Sequence, residues 1–220
     1  MANNNACSVL NEISASIRKG NSSSIKNLIE SGLKEQCTPL DLLNNGLIPG
    51  MKEISLLFKE NEIYIPEVLV AASAMHAGMD VLRPLLTKAE KKLFKRVLIG
   101  TVKGDLHNIG KNLVIIMLEG AGFEVIDLGV DVAPEKFVEK TIEYSPHILA
   151  LSALLTTTMP MMKITLDALR AGGIRKKVKV LIGGAPITSR FAQLIKADGY
   201  ADDASTAVEV AKKMLKIKKT

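Results

Sequence analysis

Apolar residues recur at helical spacing from the start of the chain to about residue 90. Side chains three and four positions apart share one face of a helix, so this spacing predicts amphipathic helices. Gly46 and Pro49-Gly50 should bend or break the third of them. Four helices joined by short loops favour an antiparallel four-helix bundle. The first predicted helix ends at Gly20, and the second is capped by one of Ser22 to Ser24. The third begins at Thr38-Pro39, and the fourth runs from Pro66 to about Pro84.

The pattern changes after a charged connector, Lys88 to Arg96. Short apolar runs rich in β-branched residues now alternate with amphipathic stretches, which predicts parallel strands joined by helical crossovers. Five such units favour a flavodoxin-like, doubly wound α/β sheet with strand order 2-1-3-4-5. We therefore expect a helical domain over residues 1–90 and a sheet domain over residues 91–220. The predicted strands are 97–102, 123–126, 148–151, 178–182 and 199–201, and the predicted helices are 109–121, 134–144, 158–171, 188–197 and 204–217.

The loop after the first strand carries the most distinctive chemistry, Gly104-Asp105-Leu106-His107-Asn108-Ile109-Gly110. A carboxylate that accepts a hydrogen bond from one imidazole nitrogen leaves the other nitrogen free for a metal or a proton. Local packing of His107 and phosphate binding at the following helix are alternatives, although neither GxGxxG nor GxxxxGK[ST] is present. One histidine cannot hold zinc by itself. A single protein ligand suits a metal whose other positions are filled by a macrocycle.

Two further loops follow the third and fourth predicted strands, where doubly wound sheets bind their ligands. The first offers a run of hydroxyls from Ser152 to Thr158, and the second begins with Gly183-Gly184, which leaves a slot without side chains. Each pattern alone is ordinary, because Ser and Thr cap helices and paired glycines end strands. Their joint placement at the carboxyl ends of strands one, three and four indicates a ligand site.

Taken in order, Asp105-x-His107-x-x-Gly110, Ser152-x-Leu154 and Gly183-Gly184 resemble the cobalamin-binding signature. Methionine synthase, the base-off mutases and the corrinoid proteins of methanogens and acetogens share that signature. The helical half is also similar to the cap of this family, at residues 46–51, 58 and 65–68. The likeness covers essentially the whole chain. It is greatest to the small corrinoid proteins of methylamine, methanol and methoxy-aromatic methyltransferase systems.

The resemblance implies that cobalamin or a related corrinoid binds base-off, with His107 as the lower axial ligand of cobalt. Asp105 would then hydrogen-bond the far imidazole nitrogen, and Thr158 would complete the relay where methionine synthase has a serine hydroxyl. Ala204 would lie at the edge of the corrin. The remaining cofactor contacts are expected from Gly104, Leu106, Asn108, Ile109, Gly110, Ser152, Leu154, Thr156, Gly183 and Gly184.

The same resemblance implies a carrier that takes a methyl group from a substrate-specific methyltransferase and passes it to a second methyltransferase with a pterin or thiol acceptor. A reductive activase is a further possible partner. Overall likeness inclines towards O-demethylation of methoxylated aromatics, with methylamine use beside it. A cobalamin-dependent sensor, a detached mutase subunit and a cofactor-free signalling domain are the alternatives. The sensor would need a DNA-reading domain, and the cap-like helices already occupy the first half.

Composition leaves the predicted fold and function unchanged but limits the kinds of partner that we expect. The net charge is +6, yet Trp is absent and aromatic residues make up 4%, so nucleic acid is not expected. No uninterrupted apolar run approaches the ~18 residues of a membrane span, and the first six residues lack the features of a secretion signal. Cys7 and Cys37 are expected to be free thiols in a reducing cytoplasm.

Overall fold

The structure is a computed structural model that describes residues 4–91 and 93–217. Backbone contacts divide it into two compact units. One comprises the described residues up to Phe94 together with Gly120–Gly122, and the other comprises Lys95–Glu119 and the described residues from Phe123 onward. The helices of the first unit are α1 (Asn4–Arg18), α2 (Ser22–Lys34), α3 (Pro39–Leu42), α4 (Ile48–Lys59), α5 (Ile65–Leu82) and α6 (Lys88–Lys91).

The helical unit confirms the expectation of a mostly helical first half. Helix α2 packs against α1 and α5, and α1 also packs against α4. The apolar stripe of each helix faces the others, because removal of apolar surface from water is the main stabilising term. Its fully buried side chains include Ile13, Ile17, Ile25, Ile29, Leu47 and Met51.

The third predicted helix is interrupted, as the glycine and proline positions suggested. Thr38 caps α3 and exchanges hydrogen bonds with Asp41. A π-helical turn, Leu43–Leu47, then leads into α4, which carries Pro49 in its first turn. Gly46 lies in this turn where a Cβ would approach Ile13 Cγ2 to 3.0 Å, so a glycine lets the turn pack closely against α1.

One prediction for the helical unit was wrong. Asn21, rather than a serine of the following run, caps α2, and its side-chain oxygen accepts the amide of Ser24 at 3.1 Å. Asparagine and serine are about equally favourable at this position. The sequence alone therefore does not decide between them.

Helix α5 is apolar along most of its length. Among the described residues, the segment Ile65–Leu85 is long and apolar enough to cross a membrane by those two criteria, with a mean hydropathy of 1.3. In the structure, α5 instead supplies core side chains to the helical unit, including Val68, Ala71 and Met75. A core helix passes the same test of length and composition.

The second unit is a five-stranded parallel sheet with the order β2-β1-β3-β4-β5, which confirms the flavodoxin-like winding. Helices alternate with the strands along the chain. The elements are β1 (Arg96–Thr101), α7 (Ile109–Gly120), β2 (Glu124–Asp127), α8 (Pro134–Tyr144), β3 (Ile148–Ser152), α9 (Pro160–Ala171), β4 (Lys179–Gly183), α10 (Ser189–Ile195), β5 (Gly199–Ala201) and α11 (Ala204–Met214).

The strands lie within one residue of the predicted positions, and the differences fall at their ends. Arg96 begins β1 instead of ending the charged connector, where α6 forms a single turn. Val102 follows the strand and makes only an isolated bridge with Val132. The central strands are buried on both faces, and Leu98, Leu149, Leu151 and Val180 belong to one core cluster. This continuous burial explains why their sequences do not alternate between apolar and polar residues.

Candidate functional site

Four strands of the sheet end at the same level. Thr101 of β1 is the register partner of Ser152 in β3, Ser152 is the partner of Gly183 in β4, and Gly183 is the partner of Ala201 in β5. The loops that follow these residues therefore leave the sheet side by side. This brings the Asp105–His107 segment, the hydroxyl-rich loop and the paired glycines to one edge, although about 50 residues separate the first two along the chain.

His107 is held by Asp105 through two hydrogen bonds. The imidazole Nδ1 lies 2.8 Å from Asp105 Oδ1, and the amide of His107 donates to the same oxygen at 3.1 Å. A carboxylate can only accept, so Nδ1 is the donor in this hydrogen bond and Nε2 is the nitrogen left for a ligand. The Asp105 side chain is fully buried, whereas that of His107 is 50% exposed. The imidazole ring is therefore held at Nδ1, and the exposed part of the ring is accessible to a ligand.

The second oxygen of Asp105 joins this loop to the loop after β3. Oδ2 accepts the amide of Leu154 at 2.7 Å, the amide of Leu155 at 3.3 Å and the hydroxyl of Thr158 at 2.7 Å. The structure thus places Thr158 beside Asp105, in the position that the resemblance implies for it. The two backbone donors were not foreseen from the sequence, because any residue type supplies an amide.

These hydrogen bonds determine the charge state of Asp105. Burial by itself would raise the pKa of this carboxyl group. The hydrogen bonds from the Thr158 hydroxyl, the Leu154 amide and His107 outweigh that effect and lower the pKa well below its usual range. Asp105 is therefore a carboxylate under all ordinary conditions, which keeps the Nδ1 proton of His107 in place.

Asp105→Asn should lower the free energy of unfolding of the ligand-free protein at neutral pH by about 1.5–3 kcal/mol, because the amide replaces charge-assisted hydrogen bonds. The loss should shrink as the solution is acidified. Since the folded-state pKa is lowered, the stabilisation by Asp105 is present above the unfolded-state pKa of about 3.9 and is lost as the pH falls further.

Denaturant unfolding between pH 7 and pH 2 measures this difference. The exposed Asp202 supplies the control, since Asp202→Asn should run parallel to the wild-type curve. A difference for Asp105→Asn that stays constant down to pH 2 would contradict the assignment of a lowered pKa.

Several apolar side chains are exposed on the His107 loop and on the loop after β3. Leu106 is 70% exposed and Ile109 is 76% exposed, on either side of His107, and Leu154 and Leu155 are exposed on the neighbouring loop. Large apolar side chains at such exposure form a surface that suits a flat, apolar ligand. A Cβ on Gly110 would meet no heavy atom within 4 Å, so there is open space at the start of α7.

The paired glycines meet backbone atoms on both sides. A Cβ on Gly183 would come within 2.9 Å of the Ala201 oxygen. Gly184 has φ +129°, and a Cβ there would lie 1.9 Å from the Ala153 oxygen. Only glycine fits the second position, and the two residues leave the gap beside β3 and β5 without side chains.

The remaining residues that were predicted to contact the cofactor differ in their exposure to solvent. Ser152 is half-buried as the last residue of β3, while Asn108 and Thr156 are exposed. Ala204 is buried at the start of α11, which follows the edge strand β5. Asp203 caps this helix through the amide of Thr206 at 2.7 Å.

The side chains of the site fit a metal macrocycle better than a bare metal ion. Within residues 4–91 and 93–217, no group of three or more His, Cys, Asp or Glu side chains could hold a metal ion. A bare ion needs such a group. His107, with one nitrogen fixed and exposed apolar side chains on its loop, fits a metal whose remaining equatorial ligands come from a macrocycle.

Sequence reasoning missed an ion pair made by a buried lysine at the start of α7. Lys111 has a side chain only 1% exposed, and its Nζ lies 2.6 Å from Asp127 Oδ2 at the end of β2. The same nitrogen is 3.0 Å from Asn112 Oδ1. The pair fixes the first turn of the helix that follows His107. A lysine on an otherwise apolar helix face, with an aspartate ending the next strand, was the available signal.

The fold and the site together define a class of proteins that bind a metal macrocycle through one histidine at the carboxyl edge of a flavodoxin-like sheet. Two family models, each described as a B12 binding domain, match residues 95–209 and residues 9–83. The chain therefore belongs to the B12-binding corrinoid proteins.

Named relatives agree with this membership. The chain is similar to dimethylamine corrinoid protein 1 of Methanosarcina acetivorans, with 43% identity over 83% of this chain and 86% of the relative. Trimethylamine corrinoid protein 2 of Methanosarcina mazei is 42% identical over 86% of this chain and 87% of its own length. The solved methanol:cobalamin methyltransferase complex MtaBC of Methanosarcina barkeri matches with a TM-score of 0.86 and 28% identity, covering 96% of this chain and 81% of that chain.

Proposed function

We propose that this chain carries a methyl group on the cobalt of a bound corrinoid, from a substrate-specific methyltransferase to a second methyltransferase with a pterin or thiol acceptor. The observation that carries the proposal is the half-exposed His107 imidazole, fixed at Nδ1 by a carboxylate that is itself fully buried. Relatives named for methylamines support the same role. None of the relatives described above is named as a sensor.

The residues of the chain have separate tasks in this role. A bound corrinoid supplies the cobalt that accepts and releases the methyl group. His107 would offer Nε2 to the cobalt, and Asp105 holds the proton at Nδ1 and keeps the ring oriented. We expect Leu106, Ile109 and Leu154 to contact the bound corrinoid, because their apolar side chains are exposed.

The methyl donor is the next part of the proposal, and the relatives support a methylamine. Relatives named for dimethylamine and for trimethylamine share nearly equal identity with this chain, 43% and 42%. Overall identity therefore does not separate these donors, and the partner methyltransferase must select between them. Methoxylated aromatics, towards which the sequence inclined, find no counterpart among the relatives described above and remain a prediction.

The arrangement of the chain completes the proposal. Residues 91–220 form the corrinoid-binding domain, and residues 1–90 form the helical cap domain. A reductive activase would restore carriers whose cobalt has been oxidised. We place the protein in the cytoplasm.

Reconstitution with hydroxocobalamin tests the proposal. After gel filtration the protein should retain about one corrinoid per chain, with the absorbance spectrum of a cofactor whose own base has been displaced. The reduced holoprotein should then be methylated by dimethylamine or trimethylamine in the presence of the corresponding methyltransferase of Methanosarcina acetivorans, with methanol and its methyltransferase as the contrast. Failure of a well-folded protein to retain corrinoid would overturn the carrier role. Methylation from methanol alone would overturn the methylamine assignment.

A further inference from the structure

We propose that Asp131, on the loop between β2 and α8, is a positioning residue for the metal ligand His107. Asp131 positions the imidazole by fixing the backbone of the loop that carries Asp105. The inference rests on the proposed corrinoid role and adds to it a residue outside the three sequence motifs. Asp131 is exposed, so its conformation is not explained by packing in a core.

Two hydrogen bonds join Asp131 to the His107 loop, one in each direction. Its Oδ1 accepts the amide of Gly104 at 2.7 Å, and its own amide donates to the backbone oxygen of Asp105 at 3.0 Å. On the other side, the amide of Asp105 donates to Val102 at 3.1 Å. The short segment before His107 is therefore held at three successive peptide groups, from Lys103–Gly104 to Asp105–Leu106.

The backbone at both partners is in the left-handed region. Gly104 has φ +80° and Asp131 has φ +53°. Aspartate and asparagine tolerate this region better than other side chains that carry a Cβ, and glycine adopts it freely. Aspartate and asparagine also place an oxygen where the Gly104 amide can reach it. Aspartate and asparagine therefore meet both requirements at position 131.

The consequence for His107 follows from what else holds Asp105. The carboxylate of Asp105 is fixed by Thr158, by the loop after β3 and by His107 itself. The backbone of Asp105 is fixed by Asp131 and Val102. Without the Asp131 side chain, the Lys103–Gly104 peptide loses its hydrogen-bond acceptor, and the turn that directs the Asp105 carboxylate at the imidazole and the β3 loop is held less firmly. The expected result is a ring with a less defined direction, not a lost cofactor site.

Three substitutions separate the two requirements. Asp131→Asn keeps both the left-handed backbone and an oxygen acceptor. Asp131→Gly keeps the backbone and loses the acceptor, and Asp131→Ala loses the acceptor and is strained at φ +53°. Each protein is reconstituted with cobalamin and reduced to the cobalt(II) form. Electron paramagnetic resonance then gives the fraction that shows coupling to a protein nitrogen.

The ratio of histidine-ligated to unligated cobalt should fall about fivefold in Asp131→Gly, the effect of losing roughly one hydrogen bond. It should fall further in Asp131→Ala and stay near the wild-type ratio in Asp131→Asn. Thermal unfolding of the ligand-free Asp131→Gly protein should stay within a few degrees of wild type, as for a change at an exposed residue. If Asp131→Ala does not fold, the glycine variant still decides the question.

An unchanged ratio in Asp131→Gly would overturn the positioning role. Equal impairment of Asp131→Asn and Asp131→Gly would also overturn it, because asparagine supplies the same conformation and an acceptor. A wild-type protein that binds no corrinoid would instead overturn the carrier proposal. The two failures are therefore distinguishable in one experiment.

Discussion

His107→Ala should abolish coupling between cobalt(II) and a protein nitrogen in the reconstituted protein and should weaken retention of the corrinoid at least about tenfold. The ligand-free fold should survive the change, because the His107 side chain is 50% exposed. Asp105 would keep the hydroxyl of Thr158 and the amide of Leu154 as partners. Electron paramagnetic resonance measures the ligation, and gel filtration measures retention.

The matched control is a histidine on another part of the chain. His76 is exposed on α5, so His76→Ala should keep the nitrogen coupling. His107→Gly supplies a stricter test, since free imidazole added to this variant should restore nitrogen ligation in a concentration-dependent way. Persistent coupling in His107→Ala without added imidazole would contradict the assignment of the axial ligand.

Gly184→Ala should give the largest loss of stability of any single change at the site, about 3–5 kcal/mol in the free energy of unfolding. The new Cβ would lie 1.9 Å from the Ala153 oxygen and 2.9 Å from its carbon, both of which are backbone atoms that cannot move alone. The loop after β3 would have to shift away from β4. The φ of +129° adds strain for any residue that carries a Cβ.

Gly110→Ala is the matched control, because it makes the same chemical change at a position where a Cβ has open space. A Cβ at Gly110 meets no heavy atom within 4 Å, and the residue lies in α7, where alanine is favoured over glycine by up to about 1 kcal/mol. Denaturant unfolding of the ligand-free proteins compares the two. A Gly184→Ala protein as stable as Gly110→Ala would show that the β3 loop yields easily and that the slot is not rigid.

The periodicity of the sequence was sufficient for the fold because each element follows from local patterns. Apolar runs such as 148–151 and 180–182 are typical of strands buried on both faces, and the helices between them imposed parallel pairing. The details that failed are choices between nearly equal local alternatives. The cap of α2 is one, where Asn21 and the serines after it are equally suitable.

The site was predictable where its residues form short motifs, and it was not predictable where contacts join distant loops. Asp105 and His107 are two positions apart, so their hydrogen bond could be expected from spacing. Asp131 and Lys111 belong to no such motif. Their roles depend on how the end of β2 lies beside the start of α7 and beside the His107 loop, and this is a property of the assembled sheet.

The hydrogen bonds of Asp105 also determine when the site can first exist. Its partners Leu154 and Thr158 are 49 and 53 residues further along the chain, so they meet Asp105 only after β1 and β3 have paired. Contacts of such sequence separation form late in folding, because the intervening chain must first be closed into a loop. On the ribosome, a chain shorter than about 158 residues has no complete ligand cradle. Cofactor capture must therefore follow synthesis of most of the protein.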